Sequence, residues 1–363
     1  MKNILSLLAV VLFTTAIIAP TGAQQPQGPG QGAAPAGAPA QPPAPPVRTI
    51  SQVRGDLYKV QSGAGVAAVT VFLVTPEGII LADPLNPEFS AWLKAELATR
   101  FPGKPVRYVI NSHYHWDHAR GGGMFTDTAR FVAHENMARN LALPIRQARP
   151  PGDTDDLDGD NRMTREEAQT GTRANFDRMN GNGDMFLTQE EMAADIRRPD
   201  ITFSGERYTV TLGGKRVELV HAKNRHTNDL IDLYFPDERV LFAGDYVWIN
   251  RLCCNFAFDR RPMTTWIASL KALEQIDFDI IVNSHFEAGT KADVVAYRQF
   301  FEDLMAAVSA GIREGKTVEE LQKTIRLDKY RNWNGYTQTA VATPSLEQAI
   351  QSAYANLTRY SGN

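Results

Sequence analysis

The sequence predicts a mixed α/β fold, and three observations point to it. Alternating or β-branched runs such as Val66–Val74 and Tyr208–Leu212 read as strands. An amphipathic stretch, Phe89–Phe101, places Trp92, Leu93, Leu97 and Phe101 on one side and reads as a helix between them. Three short apolar runs, Val106–Ile110, Val240–Ala243 and Ile280–Asn283, read as buried strands that lead directly into His- or Asp-bearing segments.

The chain has 363 residues, 43% hydrophobic, which is ample for a large core. Its 38 basic and 41 acidic side chains leave a net charge of −3, which gives no support for nucleic-acid binding. Residues 1–23 read as a secretory signal: Lys2 starts it, Ile4–Ile18 forms an apolar core, and Thr21-Gly22-Ala23 offers a cleavage site. That core is short for a membrane span and no Cys follows the cut, so an exported protein, periplasmic or secreted, without a membrane anchor is expected. Residues 24–46 are Gln, Pro, Gly and Ala throughout, the composition of a disordered linker. Folded structure is expected over 47–363.

Asp56–Val60 alternates, Pro76-Glu77-Gly78 turns, and Gly78–Asp83 is a further strand. The Phe89–Phe101 helix then leads to Val106–Ile110 and to Asn111-Ser-His113-Tyr-His115-Trp-Asp117-His118. Here four metal-competent side chains fall within six residues, in a chain with only 7 His. Burying so many polar groups without a partner would be costly, which points to a metal. Imidazole and carboxylate donors without a nearby thiol fit zinc, with iron or manganese as alternatives.

This run resembles the His-x-His-x-Asp-His signature of the metallo-β-lactamase superfamily. The resemblance implies a four-layer αββα sandwich, and it implies that Asp83, ending its strand, supports the metal loop from behind; a plain turn residue would look the same. After the loop, Arg130–Ala133 reads as a strand and Glu135–Leu143 as a helix, with His134 between them in a structural role.

Residues 144–200 then change composition and carry two related segments, one beginning at Asp156 and one at Asn180. Asp156, Asp158, Asp160 and Thr164 stand at positions one, three, five and nine of the first, Met163 at eight and Glu167 at twelve. Asn180, Asn182, Asp184 and Thr188 repeat the pattern with Leu187 and Glu191. A hard cation needs six to eight oxygens, and both segments resemble EF-hand calcium loops in which Arg162 and Phe186 would contribute backbone carbonyls. Position six, ordinarily Gly, is Asn161 or Met185, and Met185 is expected to be strained by ~1–2 kcal/mol. One helix, Arg165–Met179, is expected to serve both loops, binding one or two Ca²⁺ in all, more tightly at the first. An acidic turn region without metal is the competing reading.

Strands resume at Ile201, and Tyr208–Leu212 with Arg216–Val220 forms a hairpin about Gly213-Gly214. The family usually has Gly-His-Thr-Pro-Gly next; His226 aligns with that His, with His221 as a competing candidate. Val240–Asp245 ends in the Gly-Asp whose Asp bridges two metals in the binuclear members, and Ile280–His285 ends in Ser-His-Phe where Gly-His-Gly is usual. The resemblance therefore implies that His113, His115 and His226 hold one zinc, Asp117, His118 and His285 the second, with Asp245 bridging. Asp117 would help orient a metal-bound hydroxide and carry its proton.

Cys253 and Cys254 are adjacent, and a vicinal disulfide is the only one they could form within the chain. The loop 247–262 around them, with Trp248, Arg251, Phe256, Phe258, Arg260 and Arg261, is expected to border the site, either binding substrate or simply packing. Helices are expected at Trp266–Ile276, Ala292–Ile312, Val318–Ile325 and Ser345–Tyr360. The expected function is a binuclear zinc hydrolase of a small-molecule ester, lactone or thioester. A periplasmic β-lactamase is the alternative, disfavoured because dedicated zinc β-lactamases generally carry Cys or Ser where Asp245 stands. A mononuclear iron dioxygenase is the second alternative.

Overall fold

The computed structural model describes residues 47–63, 68–145, 156–168, 170–221, 226–252, 262–336 and 343–360. The expected leader and linker, Cys253, Cys254, Phe256, Phe258, Arg260 and Arg261 lie outside them.

The strands form two facing sheets. The first has seven strands: β1 (Thr49–Arg54), β2 (Leu57–Gln61), β3 (Val69–Thr75), β4 (Gly78–Ala82), β5 (Val106–Ile110), β6 (Arg130–His134) and, at its edge, β9 (Ile201–Phe203). Residues 163–164 (β7) and 186–187 (β8) pair separately. The second sheet has six strands: β10 (Arg207–Leu212), β11 (Lys215–His221), β12 (Ile231–Phe235), β13 (Val240–Ala243), β14 (Ile280–Asn283) and β15 (Gly289–Thr290).

On β3, Val71 and Leu73 enter the core between the sheets, where they meet Leu219, Leu233 and Phe242 of the second sheet. Their neighbours Phe72 and Val74 point the other way, onto Phe89, Leu93 and Leu97 of α1 (Pro87–Arg100). The second sheet repeats the scheme: Leu241 and Ile281 face outward against Trp266, Phe300 and Ile350 of α7 (Met263–Glu274), α8 (Lys291–Arg313) and α10 (Leu346–Tyr360). The result is the expected αββα sandwich. A one-residue slip of β3 would exchange its two faces, and each misplaced large apolar side chain would forgo ~1.5–3 kcal/mol of burial.

The connections decide where the site lies. β4 pairs parallel with β5, β5 with β6, and β13 with β14. Parallel neighbours need a crossover, supplied by α1 between β4 and β5, by residues 111–129 between β5 and β6 and by α7 between β13 and β14, so successive strands end on the same edge. Asp83, the His113–His118 loop, Asp245 and His285 all follow such strand ends. Two backbone bonds join the sheets there: Ile231 N–H to Ser112 O at 2.8 Å, and Val69 N–H to Ser284 O at 2.6 Å.

Several elements differ from expectation. The helix after β6 is only α3 (Asn136–Asn140), because turns at 141–142 end it before Pro144. The single helix expected over 165–179 is divided into α4 (Thr170–Ala174) and α5 (Phe176–Met179), with Asn175 between them at φ −108° and ψ 7°. α7 begins at Met263 rather than Trp266. Met185 is not strained: the second insert loop turns on Gly183 at φ 75°, whereas the first uses Gly159 at 85° and Asn161 at 63°. The second loop thus lacks the left-handed turn at position six that the first makes at Asn161, and Met185 is spared it.

Candidate metal centre

All seven histidine and aspartate side chains expected at the zinc site come together, in two groups that share one residue. His113, His115, His226 and Asp245 bring one ligand atom each within 4.8 Å of one another, and Asp117, His118, Asp245 and His285 do the same. Asp245 Oδ2 lies 3.3 Å from His118 Nε2, 3.5 Å from His285 Nε2, 3.8 Å from His113 Nε2 and 3.9 Å from His226 Nε2. Asp117 Oδ2 stands 3.5 Å from His118 Nε2 and 3.4 Å from His285 Nε2. Four donors around a zinc at roughly 2.0–2.1 Å would be ~3.4 Å apart, which is the scale of these separations.

The donor chemistry also fits a cation. With neutral imidazoles the two carboxylates leave two negative charges in a largely buried site, a costly state without compensation. Burial opposes protonation of His118 and His285, yet Asp245 and Asp117 outweigh it, raising both rings, His285 to about 10. Burial likewise opposes ionisation of Asp117, but His118 and His285 hold it down at about 2. His113 moves the other way: burial and the neighbouring His118 and His115 keep it neutral. Protons thus sit where a divalent ion would bind, and such an ion would displace them.

Asp83 explains how the rings are oriented. Its Oδ1 accepts the Ser112 N–H at 2.7 Å, and its Oδ2 accepts the Ser112 hydroxyl at 2.6 Å and lies 3.3 Å from His118 Nδ1. The Ser112 proton is therefore committed to Asp83, so Ser112 Oγ accepts from His113 Nδ1 at 2.9 Å. This leaves the lone pair of His113 on Nε2, directed at Asp245. One buried carboxylate thus aims two rings, the arrangement that raises the basicity of metal-binding histidines.

The comparisons with known proteins bear on this geometry. The family model described as "Metallo-beta-lactamase superfamily" matches residues 64–285, more than half of the chain. The chain belongs to that superfamily. The chain is 24% identical over 279 residues to 2,4-dinitroanisole O-demethylase subunit alpha of Nocardioides sp. (strain JS1661), covering 76% of this chain and 68% of that protein. It is 23% identical over 279 residues to the linear primary-alkylsulfatase of Pseudomonas sp. (strain ATCC 19151), covering 72% and 50%. Among solved structures, the stereoselective inverting sec-alkylsulfatase Pisa1 from Pseudomonas sp. superposes with a TM-score of 0.58 at 14% identity, over 87% of this chain and 50% of that one. The chain spans about half the length of these alkylsulfatases.

As a member of the metallo-beta-lactamase superfamily the protein is a metal-dependent hydrolase. Not every expected residue joins its centre. His221, the competitor of His226, is stacked on His134 with ring centroids 3.7 Å apart, and its Nε2 is 2.9 Å from Asn228 O. Burial and His221 push His134 down to about 4. Trp248 and Arg251, from the loop expected to border the site, pack on Phe286 beside His285: the Trp248 ring at 5.5 Å, the Arg251 guanidinium at 3.9 Å. The charge of Arg251 is matched by Glu287 at 3.1 Å.

Ser284 was missed by sequence reasoning. Its hydroxyl donates to Asp245 Oδ1, leaving Oδ2 for the four imidazoles. Its position next to His285 was the only available signal.

In the insert, Asp156, Asp158 and Glu167 bring carboxylate oxygens within 4.8 Å of one another. Asp156 accepts the backbone N–H groups of Gly159, Asp160 and Asn161, which hold its pKa down against burial. Glu167 accepts from Leu157 and Thr164, while Asp160 accepts from Arg162 N–H. The two loops pair antiparallel, Met163 opposite Leu187 and Thr164 opposite Phe186. In the second loop Asn180 accepts from Gly183 N–H, Asn182 from Asp184 N–H, and Glu191 closes a capping box with Thr188.

Proposed function

We propose that this protein is an exported hydrolase with two zinc ions, cleaving an ester-class bond in a small molecule. The observation that carries this is the position of Asp245 Oδ2, within 3.9 Å of an imidazole nitrogen from each of His113, His118, His226 and His285. A single carboxylate reaches both groups, as a bridging ligand must. His113, His115 and His226 would hold one ion and Asp117, His118 and His285 the other. Such a pair, when bound, supplies Lewis acidity and a water acidic enough to act as nucleophile near neutral pH.

The chain's own groups do the rest. Asp117 is the more exposed of the two site carboxylates, so it is placed to accept a proton from the attacking water. Asp83 and Ser284 hold His113, His118 and Asp245 in place without touching substrate. The Trp248–Phe286 pair gives an apolar wall beside His285.

Carboxylic esters, lactones and thioesters are the first substrate class. The similarity to two alkylsulfatases favours sulfate esters as the second. Asp245 in place of Cys or Ser argues against a dedicated β-lactamase. Calcium binding by the insert is part of the proposal: the Asp156–Asp158–Glu167 cluster and the pairing of the two loops at matching positions support it. Export rests on the leader-like composition of residues 1–23; among the described residues no helix is long and apolar enough to cross a membrane.

Zinc-loaded protein assayed on carboxylic esters, lactones, thioesters, alkyl sulfates and nitrocefin tests the reading. Turnover of an ester class, lost on chelation and restored by zinc, is expected. Nitrocefin as the preferred substrate, or activity restored by iron alone, would replace it.

A further inference from the structure

Trp116 stands in the sequence between two residues of the metal centre, His115 and Asp117, and its indole packs against the core of the insert. That core is formed by Ile145, Met163, Phe176, Met179 and Leu187 with Ala168. Tyr114, on the other side of His115, shares a second cluster with Ala193 and Ile196 at the end of the insert. Two residues beyond His118, the buried Arg120 is ion-paired with Asp195 of the same end. The helix that leads into the insert, α3, is attached as well. Asn136 Nδ2 donates to Asn228 O at 2.9 Å, and Asn140 Nδ2 reaches Asn228 Oδ1 at 2.7 Å and Asp229 Oδ1 at 2.9 Å. Those acceptors lie on the loop that carries His226.

The insert grips the loop that carries His113–His118, and α3, which leads into it, grips the loop that carries His226. A close-packed contact transmits displacement instead of absorbing it. Groups that only orient a metal ligand commonly change metal affinity by 10–100-fold when removed.

We propose that the insert positions the metal centre through Trp116: the indole, packed against the insert core, sets where His115 and Asp117 stand. Trp116 is then a positioning residue and the insert a structural support of the active site. The inference rests on the metal-centre reading above.

Cobalt(II) is the probe, on the full chain: its visible spectrum reports ligand geometry, and competition with a chelator reports affinity. Trp116→Ala and Phe176→Ala, the latter inside the insert core, are expected to weaken cobalt binding by ~10–100-fold and to shift the spectrum. Trp116→Phe is expected to restore both towards wild type. Asp195→Asn, a mild change at a partly exposed carboxylate, is expected to move them in the same direction by a smaller factor and serves if the core variants fail to fold. Folded Trp116→Ala or Asp195→Asn protein with wild-type affinity and spectrum would overturn the inference. A wild-type chain that takes up no cobalt would instead remove the metal-centre reading, a distinguishable result.

Discussion

Replacing Asp83 by Asn preserves shape and removes one charge, yet its consequence is a reversal of hydrogen-bond direction. The amide oxygen can keep the Ser112 N–H bond now made at 2.7 Å. Its NH₂ group then faces Ser112 Oγ and His118 Nδ1, where Asp83 Oδ2 now lies at 2.6 and 3.3 Å. Ser112 Oγ must accept from that amide, so its proton turns to His113 Nδ1, now 2.9 Å away. His113 and His118 would both be left with a lone pair on Nδ1 and a proton on Nε2, the atom aimed at Asp245. Binding a metal would force each ring back and leave a buried donor or acceptor unmatched. At ~1–3 kcal/mol for each such group, the two rings cost ~2–6 kcal/mol, or roughly 30-fold to 20,000-fold in affinity. Ser112→Ala, which disturbs only His113, is expected to cost about half as much in free energy. Chelator competition measures the affinities, and ¹⁵N spectra of labelled imidazoles report the tautomers directly. Asp83→Asn protein that binds metal as tightly as wild type, or retains an Nδ1 proton on both rings, would refute the reasoning.

Two buried groups should oppose each other in acid. His134 falls from 6.5 to about 4 through burial and His221, so the folded state binds fewer protons than the unfolded and loses up to ~3 kcal/mol as pH falls between those values. Asp229 rises from 3.8 to about 7 because it is buried, so its folded state binds more protons and loses up to ~4 kcal/mol as pH rises through that interval. His134→Phe is expected to leave stability falling from pH 4 to 7, and Asp229→Asn to leave it rising; denaturant titrations showing the same slope in both variants would contradict the assignments. Calcium at 100 times its dissociation constant is expected to stabilise the chain by ~2.7 kcal/mol, and Glu167→Gln to abolish the effect, as thermal melts would show. An equal calcium response in the variant would exclude the first insert loop as its source.

Much of the fold was readable because its signals are local. The β-branched and aromatic run of β3 and the apolar runs of β4, β5, β13 and β14 define strands and their ends within a few residues. The His113–His118 motif concentrates its donors in one loop, and His226, Asp245 and His285 each follow or precede a recognisable strand. What stayed hidden depends on contacts between distant segments. The bond from Ser284 to Asp245, the stacking of His134 on His221, and the grip of Asn140 on Asp229 span 39, 87 and 89 residues and leave no periodic trace. The break at Asn175 was misjudged because helix propensity is a weak guide in a short segment whose core is made with the neighbouring loop. The strain expected at Met185 does not arise because the second loop makes no left-handed turn at position six, where the first places Asn161.

The central claim is that one carboxylate, Asp245, serves two metal ions. Counting zinc per chain in equilibrium-dialysed protein tests it most directly. The account predicts two equivalents in wild type and loss of the tightly bound pair in Asp245→Asn. A single equivalent in wild type, unchanged by that substitution, would contradict it.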